Sequence, residues 1–374
     1  MRSPTMHLAA ALLVLLSAGG PAPAQPTSPG AALDFTPLIA AARVEGPLDF
    51  CGEPVPLEDP DVRERMEREM LLVLWDAPMV ILWAKRAGRH LEAIEAALRA
   101  DRLPPDLKYI PIAESSLRPH AGSPKGAMGF WQFMAPTGRK YGLQVDSEKD
   151  QRRSLADSTE AAVAYLKELH GMFGSWTLAA AAYNMGESGL KREIAAQDTH
   201  DYYRLYLPLE TQRYVFRILA AKRILSDPGR FGLHLQPEEL YAPEATATAT
   251  VELADETPVL AVARAAGTDF KMIKDLNPEI RGYQLAPGRH HLRLPRNSAE
   301  NFKARLAEEV LRIQRSEETI VYIVKEGDSL GAIAERFKVP VSEINRRNQL
   351  DPKKPIRPGQ RLSITMKRAA AAQP

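Results

Sequence analysis

Apolar positions recur every three to four residues through the first two-thirds of the chain. Between Asp61 and Leu103, residues Met66, Met70, Leu71, Leu74, Val80, Ile81 and Trp83 fall at helical intervals, and Pro78 predicts a break. Farther on, Asp157 followed by Glu160 has capping-box spacing and predicts a helix through Ala164, Leu166 and Leu169, closed by Gly171 and Gly174. An Ala-rich helix is expected over 176–183, and Pro208 opens another that reaches about Leu225. Nothing between residues 60 and 230 alternates strongly enough to predict a strand, so this block should be all-α.

The pattern then changes. Ala245 to Thr250 alternates Ala with Thr, and short strand-like pieces begin. An internal repeat follows. Ala261-Val262-Ala263 matches Ala332-Ile333-Ala334 at a spacing of 71, which also relates Ile273 to Ile344, Asn277 to Asn348, Pro287 to Pro358 and Gly288 to Gly359. An ungapped run of matches points to duplicated units, each reading as strand, two short helices, strand. The segment 298–318 between them reads as a charged, solvent-exposed helical spacer. The fold class expected is mainly α: an all-α block followed by small βααβ modules.

Composition narrows the function. The 374 residues suggest two or three domains, and 45% hydrophobic residues can fill ordinary cores. Forty-nine basic and 47 acidic residues leave a formal charge of +2, so nothing favours nucleic acid as a partner. Arg2 and His7 precede an apolar run from Leu8 to Leu16, and Ala22-Pro23-Ala24 fits a cleavage site. Residues 1–24 therefore read as a secretory signal peptide, too short in its apolar run to span a bilayer. Residues 25–60, rich at first in Pro, Ala, Gly and Ser, read as a linker. The one cysteine, Cys51, has no partner for an intramolecular disulfide and reads as a partly buried small hydrophobe. Scattered His residues and this lone Cys predict no metal site, and no cofactor is expected.

One carboxylate stands out. Glu114 ends the apolar helical stretch Ile110-Pro111-Ile112-Ala113. Partial burial disfavours its charged form, and a carboxylic acid that stays protonated near neutral pH is what a glycosidic oxygen needs as proton donor. Around it in sequence lie Ser123, Gln132 and the Ala182-Tyr183-Asn184 stretch, with Trp131 nearby. Amides and hydroxyls beside aromatic rings suit a sugar cleft.

Glu114-Ser115, Gly129-Phe130-Trp131-Gln132, Ala182-Tyr183-Asn184 and Glu210-Thr211-Gln212-Arg213-Tyr214-Val215 occur in the order found in the lysozyme-like domain of lytic transglycosylases, which residues 101–230 resemble. Phe130-Trp131 stands where many of those proteins have Leu-Met. The resemblance implies Glu114 as catalytic acid/base, with Ser115, Ser123, Gln132, Met134, Tyr183, Asn184, Glu210 and Tyr214 lining a glycan cleft. Residues 61–100 would be a helical preface. The last unit, 320–364, resembles a LysM glycan-binding module, which implies glycan contacts from Gly327, Asp328, Ser329, Leu330 and Asn348, with Asp328 or Ser329 capping its first helix. The unit at 251–295 has Glu256-Thr257-Pro258-Val259 at the corresponding loop and reads as a degenerate copy. The partner implied is the glycan strand of peptidoglycan, and membrane association is not required. No lipid-attachment cysteine follows the leader. Three readings stay open: a lytic transglycosylase, a goose-type lysozyme-like hydrolase, and a non-catalytic peptidoglycan-binding protein. The absence of a second carboxylate placed beside Glu114 favours the first, because hydrolases usually employ a pair.

Overall fold

Helix starts are set by local caps. A computed structural model describes residues 34–351 and 354–367; the expected signal segment 1–24 lies outside the described residues. A short helix α1 (Thr36–Ala42) leads to a hairpin of β1 (Asp49–Phe50) and β2 (Glu53–Pro54). The Asp59 carboxylate then accepts the Asp61 N–H to start α2 (Pro60–Trp75), and that of Asp76 accepts the Met79 N–H to start α3 (Ala77–Ala100). The break thus falls at Asp76, and Pro78 sits in the first turn of α3, where its missing N–H costs no helical bond. Met66, Met70, Val80 and Trp83 face the core as the periodicity requires, while Leu71 and Ile81 are exposed. The linker expected over 25–60 is corrected for its second half: Val44, Leu48, Phe50, Val55 and Leu57 are buried in the same core as the helices.

Beyond Leu103 come α4 (Ile110–Ser115), α5 (Ala135–Lys140), α6 (Leu155–Phe173), α7 (Trp176–Met185), α8 (Glu187–Gln197) and α9 (Leu209–Ser226). The cap of α6 is Ser154, whose Oγ accepts the Asp157 N–H; Asp157 itself is in the first turn, where its charge suits the helix dipole. Gly171 lies inside that helix, and Gly174 ends it at φ +70°. Ala179 to Ala182 are fully buried, so α7 can approach its neighbours closely along a stripe without long side chains. Among the described residues from 60 to 230, extended pairing is limited to isolated bridges such as Met128 with Phe133. One core runs from Ala42 to Ile224, so the helical preface and the block after it are one packing unit.

The two repeats follow the expected βααβ plan. In the first, β3 (Thr246–Leu253) and β6 (Gly288–Pro295) pair antiparallel, Thr246 opposite Pro295 and Leu253 opposite Gly288. Between them lie β4 (Thr257–Pro258), α10 (Val259–Ala265), α11 (Phe270–Leu276) and β5 (Gln284–Leu285). In the second, β7 (Glu317–Ile323) pairs with β8 (Arg361–Lys367) around α13 (Leu330–Phe337) and α14 (Val341–Arg347). The repeated asparagine has a structural role. Asn277 Nδ2 donates to Ile273 O and Arg293 O while Oδ1 accepts the Arg293 N–H; Asn348 does the same with Ile344 and Ser363. Each locks the end of the second helix to the last strand. This corrects the glycan-contact role expected for Asn348, because its amide is engaged inside the module.

The spacer is corrected too. Helix α12 (Phe302–Ser316) buries Phe302 and Leu306 in the first repeat's core, and Arg305 donates to Ala265 O and Ser298 O. Residues 317–318 already belong to β7. The first repeat also docks on the helical block: the Asp150 N–H donates to Glu279 O at 2.8 Å and the Arg281 N–H to Glu148 O at 2.7 Å. The second repeat has its own small core of Val324, Ile333, Ala334, Ile344, Leu362 and Ile364.

Separate cores predict separate failures. Ile333→Ala should unfold or loosen the last repeat, a buried Ile→Ala change costing about 2–5 kcal/mol, while the helical block keeps its melting temperature. Differential scanning calorimetry would reveal two transitions, of which only one moves; a joint shift of both would count against independent cores.

Candidate functional site

Glu114 owes its position to the way α4 ends. Ile110, Pro111 and Ile112 are buried, so the short helix is fixed in the core. Ser116 and Leu117 then turn left-handed, at φ 52° and 58°, and the Ser116 N–H closes on Ile112 O. The Glu114 carboxyl is left half-buried. Burial raises its pKa to about 7, against smaller opposing pulls from the Tyr214 hydroxyl and the Arg217 guanidinium, and with a small further push from Glu210.

Tyr214, on α9, is fully buried and donates its hydroxyl to Glu114 Oε1 at 2.5 Å. Burial and the adjacent Glu114 hold its phenol well above the ordinary range, so it remains a donor. With Oε1 accepting that bond, the proton of the neutral acid belongs on Oε2. Tyr183, at the end of α7, is close enough for Glu114 to raise its pKa as well, after burial, and its hydroxyl donates to Trp131 O at 2.7 Å. Beside it, Asn184 Oδ1 accepts the Thr211 hydroxyl at 2.9 Å, joining α7 to α9. Glu210 is exposed and paired with Arg217 at 3.0 Å.

The segment 121–134 packs beside α4 and α7 as a wall of irregular chain, joined to them through Phe130 O and Trp131 O. Ser123 Oγ accepts the Ala127 N–H in a tight turn, Gln132 Nε2 donates to Ala121 O and Gly129 O, and Met134 is 42% exposed. A Cβ on Gly129, at φ +85°, would lie 1.7 Å from Arg152 O, so only glycine fits there. Arg152 anchors this wall: its guanidinium donates to Gly126 O and Phe133 O and is held by both oxygens of the buried Asp150.

Several expected roles change. Ser115 is buried, its hydroxyl lying between Pro111 O and Phe130 O, so it ties α4 to the 121–134 wall and does not face a cleft. Trp131 is fully buried, with its indole N–H on Thr159 Oγ1, and is core rather than a stacking surface. The structure groups Glu114, Tyr183, Tyr214 and Glu210 electrostatically and adds Arg217, which sequence reasoning missed. Its one signal was a position three residues after Tyr214 on the same helix face. Thr211 and the Asp150–Arg152 pair were missed too, since nothing in the pattern separates them from ordinary polar residues. In the last repeat, Gly327 takes φ +83°, Asp328 accepts from Tyr322 and the Lys325 N–H, Ser329 caps α13, and Leu330 is half-buried. Asp328 and Ser329 thereby shape the loop they occupy. Cys51 is a half-buried free thiol. Among the described residues, no three His, Cys, Asp or Glu side chains are grouped to hold a metal ion.

The chain carries three recognisable domains. Family models match a Transglycosylase SLT domain at residues 92–205, the LysM-like domain of lytic transglycosylase MltD at 247–310, and a LysM domain at 322–365. The membrane-bound lytic murein transglycosylase D of Escherichia coli K12 is 33% identical over 293 residues, covering 75% of this chain and 64% of the relative. The chain therefore spans just under two thirds of that relative's length. The crystal structure of the 70 kDa soluble lytic transglycosylase of Escherichia coli overlaps 48% of this chain and 31% of its own, at 18% identity and a TM-score of 0.35.

A buried acid with a raised pKa destabilises the fold when it ionises. An unfolded Glu titrates near 4.3, whereas Glu114 titrates at about 7. Between those values the folded state keeps a proton that the unfolded state has lost, so stability falls as pH rises. The cost is absent below about pH 4 and complete above about pH 7, on the order of 3–4 kcal/mol at about 1.36 kcal/mol per unit of pKa. Glu114→Gln should therefore melt a few degrees above the parent at pH 8 and together with it at pH 4. Thermal denaturation at both pH values checks this; a variant less stable at pH 8 would contradict the protonation state assigned to Glu114.

Proposed function

We propose that this chain, an SLT domain followed by two LysM-type units, is a lytic transglycosylase that cleaves the β-1,4 bond between MurNAc and GlcNAc in peptidoglycan. The observation that carries the reading is a carboxyl poised near pH 7 and oriented by one buried phenol. Glu114 protonates the glycosidic oxygen as the bond to MurNAc C1 breaks. The resulting carboxylate then takes the proton of the C6 hydroxyl of the same MurNAc, and that oxygen bonds to C1. The product is 1,6-anhydroMurNAc, and Glu114 regains its proton.

One group serves as acid and then base, so the second carboxylate of a hydrolase is not required. Glu210 is a poor candidate for that role, being exposed and engaged by Arg217. Ser123, Met134, Tyr183 and Asn184 are the glycan-facing residues in this reading; Gln132, whose amide nitrogen is spent on Ala121 O and Gly129 O, has only its Oε1 to offer, and Tyr214 orients the acid. The LysM unit supplies affinity for the wall through its exposed Gly327 loop. A periplasmic location suits the proposed substrate and the leader-like residues 1–24. Among the described residues, no helix is long and apolar enough to cross a membrane.

Digestion of purified sacculi tests the chemistry. Products should end in 1,6-anhydroMurNAc, lighter by one water than reducing MurNAc, with activity declining above about pH 7 as Glu114 ionises. Glu114→Gln should lose at least about 10²–10⁴-fold in rate. Reducing ends would make the enzyme a hydrolase, and an active Glu114→Gln would remove the acid from the scheme.

Wall affinity is tested separately. A chain ending near Ser316 should cleave short soluble glycans at the parent rate yet sediment less with insoluble sacculi, because the tethered module raises local substrate concentration without touching the cleft. Equal sedimentation would assign the affinity elsewhere.

A further inference from the structure

The SLT match begins at residue 92, yet the three elements that carry the site are each latched by residues before it. Helix α4 is held by α3: the fully buried Trp83 donates its indole N–H to Ser116 Oγ at 2.9 Å, and Arg86 Nη1 donates to Ser116 O at 3.1 Å. Ser116 is the left-handed residue two positions after Glu114. Helix α9 is held by α2. The buried Glu69 carboxylate takes a two-pronged contact from Arg213, Arg65 Nη2 donates to Gln212 O at 3.2 Å, and the Arg65 guanidinium lies 4.7 Å over the Phe216 ring. These contacts flank Tyr214 on both sides. Helix α7 is held by the β1–β2 hairpin: Glu53 accepts the Trp176 and Thr177 N–H groups and the Ser175 hydroxyl, capping the helix whose far end bears Tyr183 and Asn184.

We propose that residues 53–86 form a brace that sets the Glu114–Tyr214 geometry from outside the SLT domain, with Trp83 as the positioning residue for Glu114. The proposal rests on the function proposed above in naming Glu114 the acid. A six-residue helix ending in two left-handed residues has little stability of its own. Its end must be fixed by tertiary bonds, and the Trp83 N–H is one that reaches Ser116 directly. A small displacement of a catalytic acid is costly in rate because the reaction needs a fixed attack geometry.

Trp83→Phe keeps an aromatic ring but removes the N–H together with part of the buried indole, whereas Ser116→Ala removes only the acceptor of that bond. On glycan substrate it should lower kcat about tenfold and leave KM within about twofold, the signature of an interaction realised in the transition state. The fall in activity on the alkaline side should shift to lower pH as water reaches the carboxyl. Ser116→Ala should give the same loss, and the double variant no more than either single one. Arg99→Ala, exposed on the same helix, should match the parent. The Glu114 pKa, followed by carboxyl infrared titration, reads the brace without turnover: it should move from about 7 towards the ordinary range in both variants. A parent that does not cleave glycan would fail the functional reading and leave this titration standing. Unchanged kcat and unchanged Glu114 pKa in Trp83→Phe, or additive losses in the double variant, would overturn the brace; if that variant does not fold, Ser116→Ala decides by the same two readouts.

Discussion

The hydrogen bond from Tyr214 to Glu114 is the interaction around which the helical block is organised. A carboxyl that must hold a proton near neutrality needs a dry environment, and dryness alone would leave it free to rotate. A buried phenol solves both problems. It fills space, excludes water, and donates to one oxygen so that the proton resides on the other. The cost is a group whose ionisation works against folding, tolerated because the surrounding core is large and continuous from Ala42 to Ile224.

Holding that pair requires order in elements that lack it on their own. Helix α4 has six residues, and the 121–134 wall has no regular ladder. Both are fixed by buried polar groups rather than by apolar contact alone. Arg152 with Asp150 supports the wall, and Glu69 with Arg213 fixes the start of α9. Buried ion pairs of this kind contribute little net stability compared with apolar replacements, but losing one partner costs about 3–5 kcal/mol. Their value here is geometric, since each fixes one backbone segment to another in a single arrangement.

The two repeats show how one sequence plan takes different roles. Both keep the asparagine latch and the antiparallel strand pair. The first has added α12 to its core and joined its 279–281 segment to the helical block through backbone hydrogen bonds. Its counterpart of the Gly327 loop is occupied by β4, paired with β5. The second keeps an open glycine loop and a separate core. One repeat thus extends the helical block, and the other remains an autonomous module.

Element types, the all-α block, the duplicated βααβ plan and the single carboxylate at the end of an apolar helix were legible in the chain's local pattern, because periodicity, caps and turn residues are local properties. The family resemblance also implied Tyr183 and Tyr214 beside that carboxylate, and both lie within its electrostatic reach. Which polar residues are spent inside the protein was set by the packing of distant segments. Ser115, Trp131 and Asn348 read as ligand contacts but satisfy backbone carbonyls and side chains in the core or the module. Likewise, residues 25–60 read as linker from the Pro-, Ala-, Gly- and Ser-rich composition at their start, yet Phe50 is buried in the helical core and Glu53 accepts the Thr177 N–H from 124 residues away in the chain. Burial and hydrogen-bond partnership at such separations depend on how the helices pack together, and no local pattern encodes that.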